Sequence, residues 1–203
     1  MRKQSSIKEV LLNAPSNIFW DIIDLLTSRF GSNLERYYER NIGREYIREY
    51  KLFDIKPTDK ILHIGSGSFP LSEMILSRIV DTKIIGIDKN PVTIRRAKEV
   101  IRRRTLEDSI EILAGDGTNY PMENFDIVII SSCAQPKIPI LKHVFKDLDR
   151  GNKVILREKE ISIKPLIEYI IRCDKIEIID KITHHPFPFY HPLGWESYYL
   201  QKK

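Results

Sequence analysis

The stretch KILHIGSGSFPLSEMIL, Lys60–Leu76, sets the frame for the whole chain. An apolar run stops at Gly65-Ser66-Gly67, and a helical pattern begins within a few residues. A strand that ends in Gly-x-Gly and enters a helix lays bare backbone N–H groups beneath a ligand, close to a helix N-terminus. Glycine at Gly65 and Gly67 permits positive φ or close approach of a bound group. Many α/β turns carry glycine for steric reasons alone, so the neighbouring strands have to decide.

From Lys60 onward, short apolar runs alternate with amphipathic segments. KILHIG, KIIGID, IEILAGD, FDIVIIS and NKVILRE read as strands, and PLSEMILSRIV, NPVTIRRAKEVIRRR, IPILKHVFKDL and KPLIEYIIRC read as helices. Apolar runs with little alternation imply strands covered on both faces, as in a parallel sheet between two helical layers. KIEIIDKITHH and WESYYLQKK then follow one another with only PFPFYHPLG between them, so they must run antiparallel. The expected fold is α/β: a mostly parallel, seven-stranded Rossmann-like sheet that ends in an antiparallel hairpin. Upstream, SNIFWDIIDLLTSRFG and SNLERYYERNIGREYIREYKLF read as two helices, broken at Lys56-Pro57. The expected division is a helical cap over 1–57 and an α/β unit over 58–203.

The second strand ends at Gly86-Ile87-Asp88, and the third at Ala114-Gly115-Asp116-Gly117. Each acid alone serves equally well as a helix cap or turn residue. In doubly wound sheets, however, ligands bind outside the carboxyl ends of the strands, and an acid ending the second strand meets a ribose. Three successive strand ends carrying GSG, Asp and GDG describe one nucleoside-sized site. Pro70 stands where a dinucleotide fingerprint wants its third glycine, and no GxxxxGK[ST] pattern occurs.

These features together, over about Lys51 to Lys203, resemble the class I S-adenosylmethionine-dependent methyltransferases. The resemblance implies S-adenosylmethionine as cofactor, with Gly65, Ser66 and Gly67 facing its methionine part. It places Asp88 on the ribose, Gly115 and Asp116 at the adenine, and Ser131 beyond the fourth strand at the wall of the site. His63 stands two residues before the first glycine, where such enzymes often carry an acid for the methionine ammonium. No Asn-Pro-Pro-Tyr motif follows the fourth strand; SSCAQPKIP takes its place.

A narrower likeness accompanies this one. GSGSFPLSEMIL is similar to the corresponding turn of nicotianamine synthase, which transfers an aminocarboxypropyl group and releases methylthioadenosine. YYERNIGREYIREY is similar to that family's tyrosine-rich segment, with Tyr37, Tyr38, Asn41 and Glu49 in matching places and Ile42 in place of its second tyrosine. Arg157 in VILREKE matches its arginine after the fifth strand. The likeness implies Glu49 and Tyr38 as catalytic residues that fix or deprotonate an amine. The plainer reading of that helix is a solvated cap with i,i+4 charge pairs.

With 203 residues and 42% hydrophobic content the chain can bury a full core. Its 33 basic and 28 acidic residues give a net charge of +5, which tolerates an anionic partner without requiring one. No window approaches the ~20 apolar residues of a membrane span, and MRKQSSIKEVLLNAPS is too polar for a signal peptide, so a cytoplasmic protein is expected. Cys133 and Cys173 form no metal-ligand spacing and read as buried thiols. His184, His185 and His191 lie in one loop with Phe187, Phe189, Tyr190 and Trp195, which reads as an apolar wall or packing element; no metal is expected there. The five arginines of IRRAKEVIRRRT offer RNA a surface but lack interleaved aromatics, and they suit the solvated side of a helix packed through Ile94, Ala97, Val100 and Ile101. The expected function is methyl transfer to a small molecule. The alternatives are aminocarboxypropyl transfer, RNA methylation, or a cofactor-binding module without turnover.

Overall fold

A computed structural model describes residues 32–185 and 194–203. The helix expected over Ser16–Gly31, and the loop residues Phe187, Phe189, Tyr190 and His191, lie outside the described residues. In chain order the elements are α1 (Ser32–Leu52), β1 (Ile61–Ile64), α2 (Leu71–Leu76), β2 (Ile84–Asp88), α3 (Pro91–Arg103), β3 (Ile110–Ala114), β4 (Ile127–Ile130), α4 (Lys137–Asp147), β5 (Lys153–Lys159), α5 (Lys164–Ile171), β6 (Ile176–His184) and β7 (Trp195–Lys202).

The seven strands form one sheet in the order β3-β2-β1-β4-β5-β7-β6. β1 to β5 are parallel, and β7 lies antiparallel between β5 and β6. The expected hairpin is present, with β7 inserted inside β6. β1 and β4 are buried at every residue, as their unbroken apolar sequences require. β6 is the outer strand and alternates more, with an irregularity between Ile178 and Asp180 that interrupts a flat edge.

Two cores flank the sheet. One joins α1, α2 and α3 through Ile42, Tyr50, Leu71, Met74, Val100 and Ile101. The other joins α4 and α5 through Leu141, Val144, Phe145, Leu166 and Ile170. α3 shows how closely sequence sets local structure. Asn90 caps it by accepting from Val92 N at 2.9 Å, Pro91 opens it, and Ala97, Val100 and Ile101 face the sheet. Arg95, Arg102 and Arg103 point to solvent, whereas Arg104 pairs with Glu39 of α1 at 2.8 Å.

α1 is more than a solvated cap. Ile42, Glu49 and Tyr50 are buried, and Phe53, just past its end, stacks on Tyr199 of β7 with ring centroids 4.7 Å apart. β2 and β3 extend to one side of β1 and β4 begins on the other, so the topological switch lies at β1, above the glycine turn.

Candidate functional site

The glycine turn has the backbone its sequence implies: φ is +87° at Gly65 and +72° at Gly67, the left-handed region where a side chain is strained. Gly65 N donates to Ile87 O at 2.8 Å, which ties the turn to β2. Asp88 works on both sides of this junction. Its Oδ2 accepts from Gly67 N at 3.3 Å and its Oδ1 from Asn90 N at 2.9 Å. Asn90, not Asp88, is the cap of α3, so Asp88 stands at the strand end as a carboxylate joining turn and helix.

A cleft of about 210 Å³ opens here, lined by Gly65, Asp88 and Gly115, with apolar walls from Ile64, Ile87 and Ile140. Ser66 is buried beneath the turn, and Ser131 N donates to Ile64 O at 3.0 Å, placing Ser131 against Gly65. Asp116 does not itself line the cleft; it is a turn residue between cleft-lining Gly115 and Gly117, and its Oδ1 accepts from Thr118 N and Thr118 Oγ1, both at 2.8 Å. The same oxygen pairs with Lys89 Nζ at 3.0 Å. Partial burial pushes the Asp116 carboxyl up, but Thr118 and Lys89 more than offset this and hold it below its usual range. Lys89 also donates to Gln135 O at 3.3 Å, so it spans from β2 to the segment after β4. Lys89 and Gln135 both line the cleft, and neither carries a motif that marks it in the sequence.

Cys133 corrects an expectation. Its thiol is exposed and lines the cleft, whereas Cys173 is half-buried. The chain turns outward once β4 ends at Ile130, so proximity to an apolar run did not bury this residue.

A buried acid lies beside His63. His63 and Glu73 are buried below the turn, with Nδ1 and Oε1 2.8 Å apart. Burial pushes the Glu73 carboxyl up, but His63 and Ser66 hold it below its usual range. Among the described residues Glu73 Oε2 has no hydrogen-bond partner. Glu73 belongs to α2, ten residues beyond His63 in the chain.

A second polar group lies beneath the cap. Arg157 places Nη2 2.6 Å from Glu49 Oε1 and Nε 3.1 Å from Oε2. The same guanidinium donates to Ser72 Oγ at 2.9 Å and to Tyr50 Oη at 2.8 Å, and it lies 4.1 Å from the Tyr46 ring centroid. Ser197 Oγ donates to Glu49 Oε2, and His184 joins Ser197 through Nε2 at 3.0 Å and Glu45 through Nδ1 at 3.0 Å. Burial alone pushes the Glu49 carboxyl up; Arg157 and His184 reverse this and bring it to about 2. Glu49 is therefore a fully buried, ionised carboxylate with both oxygens engaged, and it does not line the glycine-turn cleft. Tyr38 lies on α1, and its side chain is outside the described residues. His184 is committed to Glu45, Ser197 and a stack on Trp195 at 4.5 Å. Among the described residues no group of three or more His, Cys, Asp or Glu could hold a metal ion.

The family model for Protein-L-isoaspartate(D-aspartate) O-methyltransferase (PCMT) matches residues 44–185. Malonyl-[acyl-carrier protein] O-methyltransferase 1 of Ilyobacter polytropus is 26% identical over 144 residues, which is 63% of this chain and 52% of that protein. The chain thus spans about half the length of that relative. A probable cobalt-precorrin-6B C(15)-methyltransferase (decarboxylating) of Methanobrevibacter smithii is 24% identical over 143 residues, 68% of this chain and 74% of its own. In fold, the chain is similar to a Glu-to-Gln mutant of the nicotianamine synthase MtNAS in complex with S-adenosylmethionine, with a TM-score of 0.73 and 15% identity over 93% of this chain and 76% of that one.

Proposed function

Because this chain belongs to the protein-L-isoaspartate(D-aspartate) O-methyltransferase family, within the class I S-adenosylmethionine-dependent methyltransferases, we propose that it transfers a methyl group from S-adenosylmethionine to a small molecule. The observation that carries the reading is the convergence of the Gly65–Gly67 turn, Asp88 and Gly115 on one cleft at the switch point of the sheet. The residues suit the cofactor. The turn offers bare backbone for its methionine part, Asp88 a carboxylate for ribose hydroxyls, and Asp116 an acceptor beside the base. Ile64, Ile87 and Ile140 give an apolar bed. The bound cofactor supplies a carbon attached to a sulfonium, open to attack by a nucleophile. The protein's share is then mainly to hold the acceptor in line and exclude water.

A specific observation favours a second reading, aminocarboxypropyl transfer. Glu49 and Arg157, each singled out by likeness to nicotianamine synthase, meet as a buried ion pair although 108 residues separate them. In that reading Glu49 supplies fixed negative charge for an amine, and Arg157 holds it in place.

One experiment separates the readings. Purified protein, S-adenosylmethionine and a filtered small-molecule extract are incubated, and the nucleoside co-product is identified by mass spectrometry against a no-enzyme control. Excess S-adenosylhomocysteine is the expected result. Excess methylthioadenosine selects the second reading. Cofactor binding without either product makes the chain a binding module, and absence of cofactor binding refutes the proposal.

A further inference from the structure

The C-terminal edge of the sheet carries two buried donors that nothing among the described residues satisfies. Lys159 ends β5 with 5% of its surface exposed, and Trp195 opens β7 with 6% exposed. Among the described residues, Lys159 Nζ and Trp195 Nε1 both lack a hydrogen-bond partner. They are cross-strand partners in the β5–β7 register, so their side chains rise together from the same face. Buried donors are almost always paired, and an ammonium is the costliest group to leave bare.

Their position adjoins the cofactor cleft. Lys137 bonds through Nζ to Ser131 O, to Ser132 O at 3.3 Å and to Arg157 O at 3.4 Å, and pairs with Glu158 Oε2 at 3.4 Å. It thereby bolts the loop after β4, which carries cleft-lining Cys133, Ala134 and Gln135, to the end of β5. Neighbouring strands lie about 4.8 Å apart, so Lys159 on β5 stands one strand, and Trp195 on β7 two strands, beyond the β4 end that borders the cleft. Burial pushes the Lys159 amine below its usual range, against the pull of Glu158 and Cys133.

Resting on the reading of the cleft as a cofactor site, we propose that Lys159 and Trp195 form the acceptor-binding end of the active site and take the carboxylate of a small molecule. One ammonium beside one neutral N–H suits a single negative charge with two oxygens. A doubly charged phosphate would call for more positive charge than the single ammonium of Lys159 supplies. Nucleic acid would call for a row of exposed cations, whereas Lys159 is enclosed.

The test compares three forms of one filtered small-molecule extract: untreated, esterified with methanolic acid to block carboxylates, and esterified then saponified to restore them. Each is given to the enzyme with S-adenosylmethionine, and the nucleoside co-product is quantified. The untreated and restored extracts are expected to support turnover, and the esterified one to lose about 30-fold or more, the effect of truncating one partner of a buried charge pair. Lys159→Met should show the same loss with untreated extract while binding S-adenosylmethionine as tightly as wild type, and Lys159→Arg should recover part of it. Equal turnover with esterified extract overturns the inference without relying on any variant folding. So does undiminished turnover by a cofactor-binding Lys159→Met. Cofactor binding by wild type with no turnover of untreated extract also overturns it. Failure of wild type to bind the cofactor refutes instead the functional reading on which it rests.

Discussion

Replacing Glu49 by glutamine removes one charge from the interior and changes little else in volume. In the wild type Arg157, 2% exposed, is neutralised by Glu49. The variant leaves that guanidinium buried without a counterion, a defect worth about 3–5 kcal/mol. The pKa gives an independent figure. The folded state lowers the Glu49 carboxyl from 4.5 to about 2, and at 1.36 kcal/mol per unit this amounts to about 3 kcal/mol. A depressed carboxyl contributes stability that is fully present above pH 4.5 and lost as pH falls through about 2. Urea unfolding at pH 7, with a slope of about 2 kcal/mol per molar, should therefore show the Glu49→Gln midpoint lowered by about 2 M. The gap between wild type and variant should close as the titration is repeated from pH 4.5 downward. Glu49→Leu combined with Arg157→Met should be more stable than either single variant, since apolar replacement of a whole buried pair is often neutral or better. A midpoint shift below about 0.5 M at pH 7, or a gap that stays constant with pH, would refute the assignment of this pair as a buried, mutually dependent ion pair.

Other outcomes follow from the cleft. Asp88→Ala should weaken S-adenosylmethionine binding by about 1–3 kcal/mol in calorimetric titration, because Gly67 N, Asn90 N and the ligand lose their shared acceptor; unchanged affinity removes Asp88 from the site. Gly65→Ala should lower stability by about 1–2 kcal/mol from its left-handed backbone, with a new Cβ only 3.1 Å from Ala134 Cβ, and a thermal midpoint equal to wild type would contradict the turn's geometry. Iodoacetamide should label Cys133 before Cys173, and saturating S-adenosylmethionine should protect Cys133 alone. Peptide mapping that finds no protection would separate Cys133 from the cofactor.

Much of this molecule is legible because periodicity and punctuation agree. KILHIG, KIIGID and FDIVIIS are strands since unbroken apolar runs need cover on both faces, and Asn90-Pro91 starts α3 as its residue types require. The insertion of β7 between β5 and β6 was not legible, because an antiparallel pair fixes direction without fixing which strand lies inside. The glycine turn, Asp88 and Gly115 were found because each ends a strand at one edge. Glu73 was not, since its service to the turn comes from a helix and only its closeness to His63 reveals it. Lys89 and Cys133 act through where their backbone turns, which composition does not encode. The helix bearing Glu49 read equally well as a solvated cap, and only its contact with Arg157 distinguishes the two.

That contact has a consequence for how the chain is made. Glu49 meets Arg157 across 108 residues and Ser197 across 148, and Glu45 meets His184 across 139. α1 leaves the ribosome well before these partners exist, and the face it must bury carries a carboxylate that cannot enter an apolar layer alone. Such distant pairings are late and slow because loop closure has to be met before they reward it. The apolar side of α1 meets α2 close by in sequence, but its polar face is satisfied only once β5, β6 and β7 are paired.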